Sequence, residues 1–236
     1  LMPFLFLGFL GLFIGYLNYK LLKKDDSIFT SKKDTSSLKF SDSRVLPSLV
    51  IATFLGISNA CIVLTSSLFV NDVILENKDN LYFFVSLGFA IVALSGLLTQ
   101  LLLVDRYTFN PKILVITGIT LMAGVFYLLS NTSEIIWFYL LLMIYGFGGG
   151  LARPGNVSIL SLSVNKDEQG AASGLMGTVF PLGHLITPFS IMPLYMMDPS
   201  FPYLLISILG LFLIVYMFYN QKLFFNFINL EERKNV

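Results

Sequence analysis

The sequence predicts an all-α integral membrane protein, and three observations support this class. Hydrophobic residues make up 56% of the 236 residues and charged residues only 12%, whereas soluble domains carry roughly 25% charged residues. Apolar stretches of about 20 residues, long enough to cross a bilayer as a helix, recur along the whole chain. Short polar segments separate these stretches, as expected for loops between membrane-spanning helices.

Seven apolar stretches have the length and composition of membrane spans. They cover residues 1–22, 45–70, 81–104, 113–130, 135–164, 171–197 and 203–220. The first stretch has no charged leader and no small-residue cleavage site, which argues against a signal peptide. We therefore expect this stretch to be the cut end of a longer hydrophobic segment.

Two polar segments flank the last six spans. Residues 23–44 are rich in Ser, Lys and Asp and lack apolar periodicity, which predicts a flexible linker between two helical bundles. Residues 221–236 mix Phe and Ile with Lys, Glu and Arg, which predicts an amphipathic tail on the membrane surface.

The basic residues predict the orientation of the chain. Of the 15 Lys and Arg side chains, Lys78 alone falls on one side, Arg153 falls inside a span, and all others share the side of the linker and tail. Because cytoplasmic loops are enriched in Lys and Arg, we expect the linker and the C-terminus in the cytoplasm, at the cell (inner) membrane. Seven spans then place Leu1 outside, so further spans are expected before it.

Several classes of function are disfavoured by what the sequence lacks. The net charge of +1 gives no reason to expect a nucleic-acid partner, and the single cysteine, Cys61, excludes an internal disulfide or a cysteine metal cluster. No phosphate-binding glycine loop, dinucleotide fingerprint or HExxH motif is present. An intramembrane enzyme would need a nucleophile–base pair or a metal cluster, so we expect neither catalysis nor a cofactor.

The sixth span carries small and helix-breaking residues along one helical face. Intervals of four and three residues connect Gly170, Gly174, Gly177, Pro181, His184 and Pro188. This face predicts close packing against a neighbouring helix, with kinks at Pro181 and Pro188. His184 at mid-span either makes one interhelical hydrogen bond or acts as a titratable or ligand-contacting group.

The fifth span has a similar face, formed by Gly146, Gly149, Arg153 and Asn156. Pro154 and the adjacent glycine run predict a local break in the helix. Arg153 is too costly to face lipid, so it either reaches towards the cytoplasmic interface or faces a cavity that holds an anion or substrate.

The second span places Asn59 near its centre. This amide makes either an interhelical hydrogen bond or a substrate contact. No Asp or Glu falls within the core of any predicted span, so His184 is the mid-span proton carrier that the sequence offers.

The segment from Gly146 to Tyr195 resembles the tenth and eleventh helices of the major facilitator superfamily, especially its drug:proton antiporter branch of tetracycline-efflux-like carriers. The matching features are the glycine-rich helix ending in Pro154, the Ser161 region, the Glu168-Gln169-Gly170 loop, Gly174, and the segment from Gly183 to Pro188. Asp105 and Arg106, preceded by Gln100, resemble the second copy of the family's loop motif, Gly-x-x-x-Asp-Arg, without its leading glycine and most of its later basic residues.

The resemblance implies a twelve-helix carrier built from two six-helix halves. Residues 1–22 would be the last helix of the N-terminal half, residues 23–44 the cytoplasmic central linker, and residues 45–220 the six-helix C-terminal bundle. Substrate would bind between the halves and move by alternating access. The implied partners are a small organic substrate, protons, the bilayer and the N-terminal half. Proton-coupled efflux is the leading interpretation; a metabolite importer and a non-transporting scaffold protein are the alternatives.

Overall fold

The computed structural model describes residues 2–21, 38–74, 80–104, 106–107 and 109–221, and within them the chain forms helices and no strand. The α-helices are α1 (Met2–Leu21), α2 (Leu46–Phe69), α3 (Leu81–Thr99), α4 (Pro111–Leu129), α5 (Ile135–Ser163), α6 (Gln169–Met197) and α7 (Phe201–Tyr219). A wide π-helical turn extends α2 over Val70–Ile74 and α3 over Gln100–Val104, and a 3-10 turn at Lys166–Glu168 precedes α6.

Six helices, α2 to α7 with their terminal turns, are long and apolar enough to cross a membrane. They correspond to the second to seventh predicted spans, and α1 occupies the position of the first. The all-α membrane class is therefore confirmed. The largest difference in boundaries is at α2, whose extension to Ile74 brings Asp72 into the last turn of a span that we expected to end at Val70.

Local sequence signals explain where several helices begin. A proline stands in the first turn of three helices, at Pro47, Pro111 and Pro202, where its missing N–H leaves no hydrogen bond unmade. The Asn110 side chain accepts a hydrogen bond from the Lys112 backbone N–H at 2.9 Å, which caps α4. Pro47, Asn110 and Pro111 therefore set helix starts at one face of the bundle, and Pro202 sets a helix start at the opposite face.

The chain divides into two compact units, residues 1–35 with α1 and residues 36–236 with α2 to α7. In the second unit α5 packs extensively on both α3 and α4, and α7 packs on α4. α6 packs mainly on α2 and touches α5 at few positions. Aromatic rings of Phe69, Phe126, Phe138, Tyr145 and Tyr203 stack in the core of this unit.

Glycines produce the closest helix contacts, although not where the spacing in α6 predicted them. A Cβ on Gly148 would lie 2.9 Å from the Gly118 carbonyl oxygen, and one on Gly183 would lie 2.7 Å from the Gly56 carbonyl carbon. A Cβ on Gly174 or on the other predicted packing glycines of α6 would meet no atom within 4 Å.

The predicted glycine faces therefore need correction in the described bundle. Gly146 packs against Ser95 and Val92 of α3, as expected of a contact face. In contrast, Gly149, Gly174 and Gly177 face open space. Helical spacing identifies which residues share a face but not which neighbouring helix that face meets. On α6 the close contact is made by Gly183, which is next to His184 in sequence but is not part of the predicted face.

Internal prolines do not interrupt the helices. α5 continues through Pro154, where we expected a break, and α6 continues through Pro181, Pro188 and Pro193. Each proline removes one backbone donor, and neighbouring turns and side chains in a bundle can compensate for that loss. Both helices therefore reach 29 residues.

The end of the predicted flexible linker is packed structure. Residues 22–37 lie outside the described residues. From Lys39 onwards the backbone forms turns, with the Val45 N–H donating to the Asp42 carbonyl at 3.1 Å. Val45 is buried, and Leu38 packs against the apolar cluster that joins α2, α5 and α6. The bundle therefore begins a few residues before α2.

Candidate functional site

A cleft of about 540 Å³ opens between α5 and α6, with α2 as its floor. Its walls are mostly apolar, and its lining includes Leu55, Arg153, Leu160, Gln169, Met176 and Phe180. The cleft exists because α5 and α6 make few contacts with each other while both pack on α2. We call the end of the cleft near the start of α6, at Val164 and Gln169, its mouth, and the end at Arg153 and Phe180 its deep end.

Arg153 is an exposed guanidinium within a membrane-spanning helix. At ~1.5 Å per residue, it lies about 15 Å along α5 from Ser163. Its Cζ lies 5.6 Å from the centroid of the Phe180 ring, a cation–π contact that contributes about 0.5–1 kcal/mol. Exposing arginine to hydrocarbon costs about 2.5–3.5 kcal/mol or more, so this contact alone does not offset the cost. Water, an anion, the membrane interface or a polar group outside the described residues therefore has to stabilise the charge.

Asn156 lies one turn beyond Arg153 on the same face of α5, as its spacing predicted. It is only 1% exposed, and its Nδ2 donates to the Ser48 carbonyl oxygen at 3.0 Å. Its Oδ1 has no hydrogen-bond partner among the described residues. A buried amide oxygen without a donor is costly, so a donor from water or a ligand would stabilise this wall of the cleft.

His184 and Asn59 meet across the interface between α2 and α6. The His184 Nε2 lies 3.2 Å from the Asn59 Oδ1, and its Nδ1 lies 3.4 Å from the Phe180 carbonyl oxygen. The imidazole also packs on the Phe180 ring, with centroids 5.2 Å apart. Phe180 therefore contacts two of the candidate side chains, Arg153 through a cation–π contact and His184 through ring packing.

An ion-pair cluster joins α2 and α6 beside the mouth of the cleft. The Arg44 guanidinium donates to both oxygens of Glu168 at 2.8 and 3.0 Å and to both oxygens of Asp42 at 2.9 and 3.3 Å. These hydrogen bonds, with Glu168 first and Asp42 second, raise the pKa of Arg44. The hydrogen bonds from Arg44 lower the pKa of Asp42. The cluster therefore stays charged at neutral pH.

A second polar tie joins the other ends of the same two helices. The Tyr195 hydroxyl donates to the Asp72 Oδ2 at 3.0 Å. Together with the His184–Asn59 contact, the two ties connect α6 to α2 at both ends and in the middle. No comparable set of polar contacts connects α6 to α5 in the part of the chain that the structure describes.

Comparison with known protein families identifies the class to which this helical bundle belongs. A family model described as the Major Facilitator Superfamily matches residues 2–188. The chain belongs to the Major Facilitator Superfamily. No curated protein sequence and no solved structure matches it.

Membership in this superfamily makes the chain a multi-pass membrane protein of a transporter family. Its predicted cavity residues form two neighbouring groups: Arg153 and Asn156 line the cleft, and His184 and Asn59 contact each other behind Phe180. Pro154 and Pro188 are half-buried and Pro181 is exposed. Of the predicted loop motif, Arg106 is exposed and Asp105 lies outside the described residues.

The sequence analysis did not predict the polar contacts between α2 and α6, which are Arg44 with Glu168 and Tyr195 with Asp72. Arg44 falls in the predicted linker, and Asp72 falls just beyond the predicted end of the second span. A usable signal existed, because alternating spans place the starts of α2 and α6 at one membrane face and their ends at the other. Opposite charges at like ends of two helices could therefore have been paired as candidates.

Proposed function

We propose that the chain forms the C-terminal six-helix half of a twelve-helix carrier that exports small organic molecules in exchange for protons. The proposal rests first on the cleft between α5 and α6, which brings a single cation deep into a largely apolar space within the membrane spans. Transporters of this kind bind substrate near the midplane and expose it alternately to the two sides.

The packing of α6 supports alternating access. α6 meets α5 along an open cleft, whereas α2 is its principal neighbour. A helix held mainly through one neighbour can shift against the rest of the bundle while few apolar contacts are lost. Such hinge or shear movements of packed helices are a common way to open and close a binding site.

The surroundings of His184 support proton coupling. Both ring nitrogens lie near acceptor oxygens, the Asn59 Oδ1 and the Phe180 carbonyl. A neutral imidazole carries one N–H and satisfies one of these contacts, whereas an imidazolium carries two and satisfies both. The Phe180 ring contacts both His184 and Arg153. Protonation of His184 would therefore add a second positive charge beside the cleft.

The basic residues support the orientation. The linker, the tail and the mouth of the cleft share the side that holds most Lys and Arg residues, which is the side expected to face the cytoplasm. In this orientation the cleft opens towards the cytoplasm at the inner face of the cell membrane. The carrier would then collect substrate inside and release it outside.

Flux measurements on the complete protein in proteoliposomes test the proposal. Three probes of different charge, ethidium, tetracycline and benzoate, are offered under an imposed pH gradient, while a trapped dye reports proton movement. We expect at least one probe to move against its own gradient with opposite movement of protons. Uptake in the direction of the proton flux would support an importer, and the absence of any gradient-dependent flux would support a scaffold.

The matched variant is His184→Gln, which keeps a hydrogen bond to Asn59 but cannot become a cation. We expect its flux to lose its dependence on the pH gradient while downhill movement of the probe remains. An unchanged pH dependence in well-folded His184→Gln protein would remove His184 from the coupling mechanism.

A further inference from the structure

Arg153 has no anionic partner among the described residues of the cleft. The described residues that line the cleft include no Asp or Glu. The two ion pairs between described residues both involve Arg44, at the mouth. The guanidinium of Arg153 therefore contacts the Phe180 ring and otherwise faces open space.

Polar side chains line the two ends of the cleft, and apolar side chains line the part between them. Gln169 and Ser161 lie near the mouth, where the Gln169 Nε2 donates to the Ser161 Oγ at 3.2 Å. Leu160 and Met176 contribute to the apolar walls between the mouth and the deep end. At ~1.5 Å per residue, the α5 wall from residue 153 to residue 164 extends about 16 Å.

We infer that Arg153 and the surrounding cleft form a binding site for an organic monocarboxylate with an apolar, preferably aromatic, body. This inference rests on the proposed transport function and specifies its substrate class. The planar guanidinium presents two parallel N–H groups that match the two oxygens of a carboxylate. The apolar walls accommodate the body of the molecule, and Phe180 offers a ring surface beside the charge.

Other charge classes fit this cleft less well. An organic cation would be repelled by Arg153 and would find no carboxylate among the described lining residues. A molecule with two or more negative charges would find one cation for all of them.

Three molecules of nearly the same size separate these classes: benzoate, benzylamine and benzamide. Binding of radiolabelled benzoate to the purified complete protein in nanodiscs is measured, with unlabelled benzylamine and benzamide as competitors. We expect saturable binding of benzoate that benzylamine does not displace and that benzamide displaces at least tenfold less well than unlabelled benzoate. Equal competition by benzylamine would overturn the assignment.

Substitutions at the cation test the site directly. We expect Arg153→Gln to weaken benzoate binding at least tenfold and Arg153→Lys to weaken it less, because lysine keeps the charge but loses the paired geometry. Lys166→Gln is the matched control, because this exposed cation lies outside the cleft lining, and it should bind benzoate normally. Thermal unfolding of each purified variant shows whether it is folded.

A charge added to the cleft keeps the test decisive even if Arg153→Gln does not fold. Ser173 is exposed and lines the cleft, so Ser173→Glu should abolish benzoate binding while Ser173→Gln should not. Undiminished benzoate binding in both Arg153→Gln and Ser173→Glu would overturn the site, as would the absence of benzoate binding to the native protein. If ethidium or tetracycline is still transported in that case, the carrier function stands and only the substrate class fails.

Discussion

α5 and α6 are both 29 residues long and both contain several glycines and at least one proline, yet they pack in the bundle in different ways. α5 lies between α3 and α4, and its glycines allow backbone-to-backbone contact on both sides, as Gly148 does with Gly118. α6 makes its close backbone contacts with α2 alone, where Gly56 meets Gly183 and the Phe180 carbonyl, and apolar side chains and polar ties hold it to the same helix.

The difference shows how one bundle can combine a fixed part with a movable part. Close-packed backbones lose many dispersion contacts when they separate. The polar ties at the two ends of α6 can exchange their hydrogen bonds for hydrogen bonds to water when they break, at a small net cost. We therefore assign α3, α4 and α5 to the fixed part and α6 to the part that moves, with the cleft between them.

The largest effect is expected from filling a contact in the fixed part. Gly148→Ala places a methyl group 2.9 Å from the Gly118 carbonyl oxygen, so the α4 and α5 backbones must move apart. We expect a loss of roughly 1–3 kcal/mol and a clear drop in the thermal unfolding temperature of the purified protein. The neighbouring Gly149→Ala meets no atom within 4 Å and should unfold at or above the native temperature. Equal destabilisation by the two variants would contradict the assigned contact.

A smaller loss of stability is expected from substitutions in α6. The sensitive glycine there is Gly183, which contacts α2, and not Gly174, which the residue spacing suggests. Gly183→Ala places a methyl group 2.7 Å from the Gly56 carbonyl carbon, so α6 must move away from the α2 backbone. This variant should lower expression and transport. Gly174→Leu faces open space within the described bundle and should leave folding of the bundle intact. Misfolding of Gly174→Leu, detected by size-exclusion chromatography, would show that this face packs against another part of the carrier.

The smallest effect is expected from the ion-pair cluster at the mouth of the cleft. Arg44→Gln removes the tie between the starts of α2 and α6, so hydrogen exchange of the first turns of α6 should become faster while exchange in α4 stays unchanged. Because the pKa of Asp42 is lowered, its contribution is fully present above the ordinary carboxyl pKa of about 3.9. The contribution of Asp42 is lost as the pH falls through the lowered value, so the difference in exchange between the native protein and Arg44→Gln, measured at the same pH, should be smaller at such acidity.

The helices themselves were largely predictable, because a bilayer requires apolar segments of a narrow range of lengths. Predicted and observed boundaries agree within two residues at most ends, and the extension of α2 to Ile74 is the main exception. The shared face of Arg153 and Asn156 was also predictable, since their spacing keeps them together on any helix.

Contacts between helices were not predictable to the same degree. His184 and Asn59 are 125 positions apart, and nothing in either span specifies that α2 and α6 are neighbours. The same limit explains why Gly183 rather than Gly174 meets a neighbouring helix. Residue spacing defines the faces of one helix, but the partner of each face depends on how all the helices pack.

The movement of α6 against α5 is the central claim, and a pair of distances tests it most directly. Spin labels at positions 157 and 173 face each other across the cleft, and labels at positions 120 and 143 report on the α4–α5 contact. Cys61 is buried and is the only cysteine in the sequence, so Cys61→Ala provides the background for labelling.

Pulsed electron spin resonance on the complete protein in liposomes, at about pH 5 and about pH 8, gives both distance distributions. We predict that the cleft distance redistributes between two populations with pH, while the α4–α5 distance stays unchanged. A single, unchanged distribution for the cleft pair at both pH values would contradict this prediction.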